Sequence, residues 1–461
     1  MRSPALPPQA GRWLASASAL VLALVLAACS SAPSKPQPGA LPAVQGGLNA
    51  SRAWTYRLPA GATALPPALV GERVLLTTAQ GQLVELQADS GQELARTSLK
   101  DSLSTGAGSD GRRHAVVTTQ NELVVIEAGR ERWRQRLGAQ SHTPPLVAGE
   151  RVFVQTADRT VTAFDGATGQ RLWALNRQAD PLVLRQAGVL IAHGDLLLAG
   201  NGGRLSAIQP LNGQVRWEVL VGSSRGTNEV ERLVDLVAGV SRQGQSLCVR
   251  SFQTAVGCVD AARGLSVWSR PAQGHEGLDG DERRVFGVES DGKLRAWDRQ
   301  DGQVLWALDD YRFRELSGLR VWAGAIAVGD PLTSSSTGVL TVALPARSAL
   351  VFKSTKLLPG LTSAPVLKVS ATPSYKTGTP LLTVPTPKVK DPLSVTFVAR
   401  KCASCSWFVI GTDDAAPFQI PVMPEAWAGK ASLQFAAISR TTNGKIAGGP
   451  IVTIYRKKVQ P

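Results

Sequence analysis

Residues 160–173, TVTAFDGATGQRLW, decide the fold. Val161, Ala163 and Phe164 give the apolar side of a half-buried strand. Asp165, Gly166 and Gly169 supply a tight turn, with Gly169 suited to positive φ at little steric cost. A second strand is expected to follow and to end on the ring of Trp173. The stretch predicts one β-hairpin carrying its own aromatic anchor.

The hairpin recurs along the chain. GRLSAIQPLNGQVRW closes at Trp217, GCVDAARGLSVW at Trp268 and GKLRAWDRQDGQVLW at Trp306. In GQLVELQADSGQEL the Trp is replaced by Ala95, and the shortened NELVVIEAGRERW ends at Trp133. GVLTVALPARSALVF is the last copy, with Phe352 in the aromatic place. Successive anchors lie 38 to 51 residues apart. A period near forty built of strands is that of a four-stranded propeller blade. Each blade leaves an apolar face until its neighbours cover it, so the copies should close into a ring. Burying one indole contributes at most roughly 5 kcal/mol per blade. An open β-solenoid is the alternative, but its rungs are shorter. Trp54 in AWTYRL stands without a preceding hairpin, as a strand that joins the last blade would.

The fold expected is therefore all-β: a propeller of seven to eight four-stranded blades, then a small β-sandwich-like C-terminal domain. Residues 1–28 have the basic start, apolar middle and small-residue end of an export signal. Leu26-Ala27-Ala28-Cys29 resembles the lipobox of bacterial lipoproteins, which implies that Cys29 is acylated and becomes the mature N-terminus. The bland reading is an ordinary signal peptide with an incidental cysteine. Ser30 resembles the residue of lipoproteins sent on to the outer membrane, and acyl chains would anchor the chain without a spanning helix. Residues 29–47 are a Ser-, Pro- and Gly-rich tether, 48–358 the propeller and 359–461 the end domain.

The repeats are similar to the PQQ-like repeat. Together with the lipobox and stretches such as GSDGRRHAVVTTQNELVVIEAGRERWRQRL, DPLVLRQAGVL and RGTNEVERLVDLV, they resemble the BamB family, propeller lipoproteins of the outer-membrane β-barrel assembly machine, over about residues 48–330. The resemblance implies a non-enzymatic scaffold on the periplasmic face of the outer membrane, without cofactor, that binds the POTRA domains of BamA. It also implies two groups of contact residues: Leu182, Leu184 and Arg185, and Glu231, Arg232 and Asp235. A second acidic residue of the family pattern falls on Val237 here. A Leu pair beside an Arg has the make-up of an interface hot spot. The competing readings put Leu182 and Leu184 in a strand core with Arg185 as rim, and make Glu231 and Asp235 plain loop polarity.

Cys248 and Cys258 flank the Phe252–Thr254 turn symmetrically and should face one another across a hairpin. Export makes a disulfide plausible, two buried thiols being the alternative. Cys402 and Cys405 form C-x-x-C without the second ligand pair that zinc needs, so a small disulfide or nothing is expected.

The net charge of +15 raises nucleic-acid binding. Basic stripes interleaved with aromatics are missing, however, and no nucleic-acid partner is expected. Beyond Leu350 there are 14 basic against 4 acidic residues, and Lys replaces the Arg of the repeats, as in a segment of separate origin. Short alternating runs there (LSVTFVAR, SWFVIG, ASLQFAAISR) suggest an immunoglobulin- or fibronectin-like sandwich with Trp407 as core anchor. LTSAPVLKV, from Leu361, could instead belong to the last blade. The basic end (Tyr455-Arg456-Lys457-Lys458) could touch anionic lipid, lipopolysaccharide or cell wall, or simply keep the domain soluble. Two alternatives remain for the whole chain. A cell-envelope adhesin binding carbohydrate or cell wall predicts exposed aromatics on the end domain. A PQQ-dependent dehydrogenase needs an adjacent cysteine pair and an acidic calcium cluster, and neither occurs; His114, His142, His193 and His275 stand apart.

Overall fold

The computed structural model describes residues 37–39, 50–177, 182–224, 232–322, 325–329, 335–336, 339–341, 348–354, 364–373, 380–385, 393–413, 416–427, 429–441 and 445–455. Ala40–Pro461 forms one compact unit.

Six regular four-stranded antiparallel sheets follow one another: blades 1 to 6, over residues 68–98, 108–136, 146–176, 190–220, 236–271 and 279–308. Blade 3 holds the 160–173 hairpin. Its strands are Leu146–Ala148, Arg151–Gln155, Thr160–Asp165 and Arg171–Asn176, paired in chain order. The fourth strand continues past Trp173 to Asn176, because the ring lies beside a bulge at its start and pairing with Ala163 carries on beyond it. First strands of neighbouring blades touch, which puts them nearest the hub.

The indoles do more than fill their own blades. In five cases the ring lies on the turn glycine between the third and fourth strands of the next blade. Trp133 meets Gly169 and Trp173 meets Gly213, both at 2.7 Å from where a Cβ would stand. Trp54, Trp217 and Trp268 meet Gly91, Gly264 and Gly302 in the same way. All five glycines have positive φ, so the position excludes a side chain twice over. Each indole Nε1 also donates to a carbonyl of that neighbouring turn: Ala88, Gly166, Pro210, Ala261 or Arg299. Blade 1, where Ala95 stands in place of Trp, faces the shortened turn of blade 2. There Thr97 Oγ1 donates to Gly129 O instead. The two irregular copies are thus two sides of one joint.

The ring closes differently from the last-hairpin expectation. Val339–Thr341 pairs in parallel with Ala325–Val328 in a seventh sheet that also holds Arg320–Trp322 and Ser335–Ser336. Ser348–Ser354 pairs instead with the first strand, Ala50–Arg57. Trp54 on that strand then packs with Leu76, Val84 and Leu86 of blade 1, fastening the ring end to end.

Residues from Ala364 onward form two facing sheets. One is Ser370–Pro373, Pro380–Thr383 and Gln419–Pro421; the other is Phe408–Asp413, Leu393–Arg400, Ser432–Thr441, Ile446–Gly448 and Val452–Tyr455. Leu367 and Val369 lie in the core between them, so the described part of LTSAPVLKV belongs to the sandwich. The 358/359 boundary falls outside the described residues. The core anchor is Trp427, 1% exposed and edge-on to Phe435, whereas Trp407 is 39% exposed. Trp407 ends the loop before Phe408–Asp413, so nothing places it between the sheets.

Antiparallel order puts the first and third turns of every blade on one face of the ring, and the second turns and interblade connections on the other. The sandwich sits on the first-turn face. Met423 packs on Gly149, Gln419 reaches Gly194 and Arg440 pairs with Glu72 at 3.4 Å. Between the two parts lies a cavity of about 330 Å³, lined by Leu69, Leu146, Leu196, Ile420, Pro421 and Met423 among others. The connection face is left uncovered by the described residues of the sandwich.

Candidate functional site

The open face carries the segments singled out from sequence, and the fold brings two of them together. Leu182–Gly188 connects blades 3 and 4; Arg232–Asp235 leads into blade 5. The carboxylate of Asp235 accepts the backbone N–H of Leu184 at 2.9 Å and pairs with Arg159 Nη1 through its other oxygen. Arg159 Nη2 donates to Leu182 O at 3.0 Å. Asp235 and Arg159 are both mostly buried. One ion pair therefore holds the main chain on either side of Val183, and Asp235 is turned inward to position the loop. Charge-assisted bonds of this kind, shielded from water, are the stronger class.

What the clamp presents is exposed. Leu182 is 37% accessible, Leu184 is half-buried, and Arg185 stands in solvent with no ion pair to any described residue. The Arg185 charge does reach His142; burial first, and then that cation, lower the imidazole pKa. Behind the loop a narrow cleft of about 50 Å³ runs past His142, Gln155, Arg159 and Leu184. Val237, where the family pattern has its second acid, is buried at the start of blade 5 and bridges to Gly188. Arg232 is half-buried. Glu231 and Cys29 lie outside the described residues.

Arg159 was missed from sequence, although a signal existed. It occupies the left-handed position of the second turn, φ 65°. Blades 1 and 6 use Gly81 and Gly292 there, and blade 2 uses Asn121, the residues that tolerate that region. An Arg in this place costs roughly 1–2 kcal/mol of backbone strain, which the clamp offsets. Aligning three of the copies (TTAQGQ, TTQNEL, QTADRT) exposes the Arg, while the differently built second turn of blade 5 carries Gln253 at φ 46°.

Cys248 and Cys258 face each other across the second and third strands of blade 5, Cα atoms 4.0 Å apart and sulfurs joined. Both are fully buried. Arg250, on the same strand as Cys248, is wholly buried; it pairs with Glu289 at 3.4 Å and lies 5.9 Å from the Trp297 ring centre. Among the described residues no group of His, Cys, Asp and Glu could hold a metal ion.

Comparison with known proteins follows the same lines. A family model described as outer membrane protein assembly factor BamB matches residues 79–308. The outer membrane protein assembly factor BamB of Burkholderia pseudomallei is 31% identical over 324 residues, 69% of this chain and 85% of the relative. The chain belongs to the BamB family. The Bordetella pertussis BamB is 29% identical over 327 residues, again 69% of this chain and 85% of its own length. In three dimensions, BamB from Moraxella catarrhalis superposes with a TM-score of 0.58 at 20% identity. That match covers 97% of the Moraxella BamB and 73% of this chain, so the propeller fold is shared and this chain is the longer one.

Proposed function

We propose that this protein is a non-enzymatic assembly factor held at the periplasmic face of the outer membrane by acylated Cys29, and that it binds the POTRA domains of BamA through the Leu182–Arg185 loop. The relatives' name supplies the assembly role. The observation that carries the contact is the clamp. Arg159 and Asp235 fix the loop's backbone while Leu182 and Arg185 remain exposed, an apolar anchor beside an open guanidinium fork held in advance of binding.

The test is capture of purified BamA POTRA domains by the soluble Cys29→Ser chain. Leu182→Asp and Arg185→Glu should each weaken capture on the order of tenfold or more while the thermal melt stays put. Capture equal to wild type in the double variant, with the ring intact, rejects the site. Anchoring is checked separately: Cys29→Ser should move the protein from the membrane fraction to the periplasmic extract. We also infer that the Cys248–Cys258 pair is oxidised in the exported protein. Alkylation of the denatured chain before and after reduction, read by mass spectrometry, should label neither cysteine at first and both afterwards; labelling of both before reduction would show two buried thiols.

A further inference from the structure

Residues 401–407, KCASCSW, join the strands Leu393–Arg400 and Phe408–Asp413. The loop is short and doubly tied: Cys405 N donates to Cys402 O at 3.1 Å, and the two sulfurs are bonded across Cα atoms 5.0 Å apart. It ends on Trp407, which contributes nothing to the sandwich core and keeps 39% of its surface in solvent. Arg400 lies over that ring, 4.6 Å from its centre, and is held by an Nε hydrogen bond to Gln434 Oε1 at 2.8 Å. Among the described residues no carboxylate pairs with Arg400, so its terminal nitrogens are open to a ligand.

Register extends the surface. Arg400 is opposite Gln434, and Ser432, two residues earlier and on the same side, is opposite Tyr455, 72% exposed. Two aromatic rings and a stacked guanidinium thus share one outward sheet face. Arg400 is six residues along its strand from Ser394, which lines the cavity under the propeller, placing the platform ~20 Å from that interface. The segment beyond Leu350 is the most basic part of the chain, 14 Lys and Arg against 4 Asp and Glu.

We propose that this face binds an acidic glycan, a chain of sugar rings bearing carboxylate or phosphate groups. Flat, exposed rings present the apolar face against which sugar C–H groups stack. A guanidinium stacked on one of them, with its fork free, takes the acid group in paired hydrogen bonds that an ammonium cannot reproduce. The net positive charge of the segment draws such a polymer in. The cross-linked loop fixes Trp407 beforehand and limits the ordering cost of binding. The proposal rests on the envelope location proposed above but not on the contact with BamA.

The soluble Cys29→Ser full chain is tested by co-sedimentation with purified peptidoglycan sacculi and, separately, with lipopolysaccharide aggregates, neutral dextran serving as the uncharged control. Wild type should bind at least one acidic glycan and leave dextran behind, and which one it binds identifies the source. Trp407→Ala and Arg400→Gln should each lower affinity on the order of tenfold, and Arg400→Lys nearly as much despite the retained charge. Trp407→Phe should bind between wild type and Trp407→Ala. POTRA capture by all four should be unchanged, which separates failure here from failure of the assembly role. Wild type binding neither glycan, or Trp407→Ala and Arg400→Gln binding as wild type, overturns the proposal.

Discussion

The two faces of the ring are built from the same kind of turn and have been put to opposite uses. On the first-turn face, indoles lock onto glycines of the next blade, Arg151 donates to Pro210 O and Leu211 O of blade 4, and Arg113 pairs with Glu150 of blade 3 at 2.8 Å. The sandwich then covers the turns of blades 1, 3 and 4. On the connection face the Arg159–Asp235 clamp holds up a loop that ends in solvent. Polar groups on both faces knit the ring, as Ser104 does by donating to Ser141 O on the open face, but only there does a clamped loop leave a Leu and an Arg in solvent among the described residues. The end domain lies on the face opposite that loop and leaves it open.

The contrast breaks first at the latch. Trp268→Ala removes a 6% exposed indole, its bond to Arg299 O and its seat on Gly302, and should cost about 3–5 kcal/mol in denaturant unfolding. Trp306, 36% exposed, should cost under about 1 kcal/mol when truncated, because surface sites contribute little. Equal losses from the two would remove the distinction between latch and ornament.

Titration is the next lever. Burial raises the Asp110 pKa to about 6, against backbone N–H bonds from Arg112 and Arg113 that favour its charged form. Burial, aided by the Arg242 charge, lowers that of His193 to about 4. Both sit at first turns on the covered face. Between pH 4 and 6 the folded Asp110 holds a proton the unfolded chain has lost, so its contribution falls as pH rises. Between pH 4 and 6.5 the folded His193 lacks a proton the unfolded chain holds, so its contribution rises. Each is worth about 3 kcal/mol across its window, and they oppose. Asp110→Asn should therefore steepen the gain in stability from pH 4 to 6, and His193→Gln should reverse it; parallel pH profiles for the three proteins would refute the assignment.

A smaller effect belongs to the seam. Met423→Ala, at a 3% exposed side chain packed on Gly149, should cost about 2 kcal/mol. POTRA capture should be unaffected, since the seam and the loop lie on opposite faces. The finest test is on the open side: Arg159→Ala should weaken capture severalfold and cost about 1–2 kcal/mol, because the clamp bonds are lost while the left-handed strain stays with the Cβ. Arg159→Gly should lose the same capture and be more stable than Arg159→Ala, as left-handed backbone suits glycine.

Repetition made the blades legible. A hairpin with Gly at the turn and Trp after it can be counted along the chain, and the missing Trp at Ala95 and the clipped turn before Trp133 were visible as oddities. That they face each other was not, because periodicity gives the place of a ring in its own blade and says nothing of the neighbour it reaches. The loop residues Leu182, Leu184 and Arg185 came through family likeness, but Arg159 did not, since its work depends on a contact 76 residues away with Asp235. In the end domain the core tryptophan is Trp427, not the Trp407 that the sequence suggests. Trp407 precedes an apolar strand and looks like part of it, whereas Trp427 follows Pro424 in a short helical turn that sequence alternation does not flag.

Ring closure by Ala50–Arg57 and Ser348–Ser354 fixes an order of events. Among the described propeller strands the one made earliest pairs with the one made latest, and until residue 348 is present it keeps a bare hydrogen-bonding edge that any other strand could take.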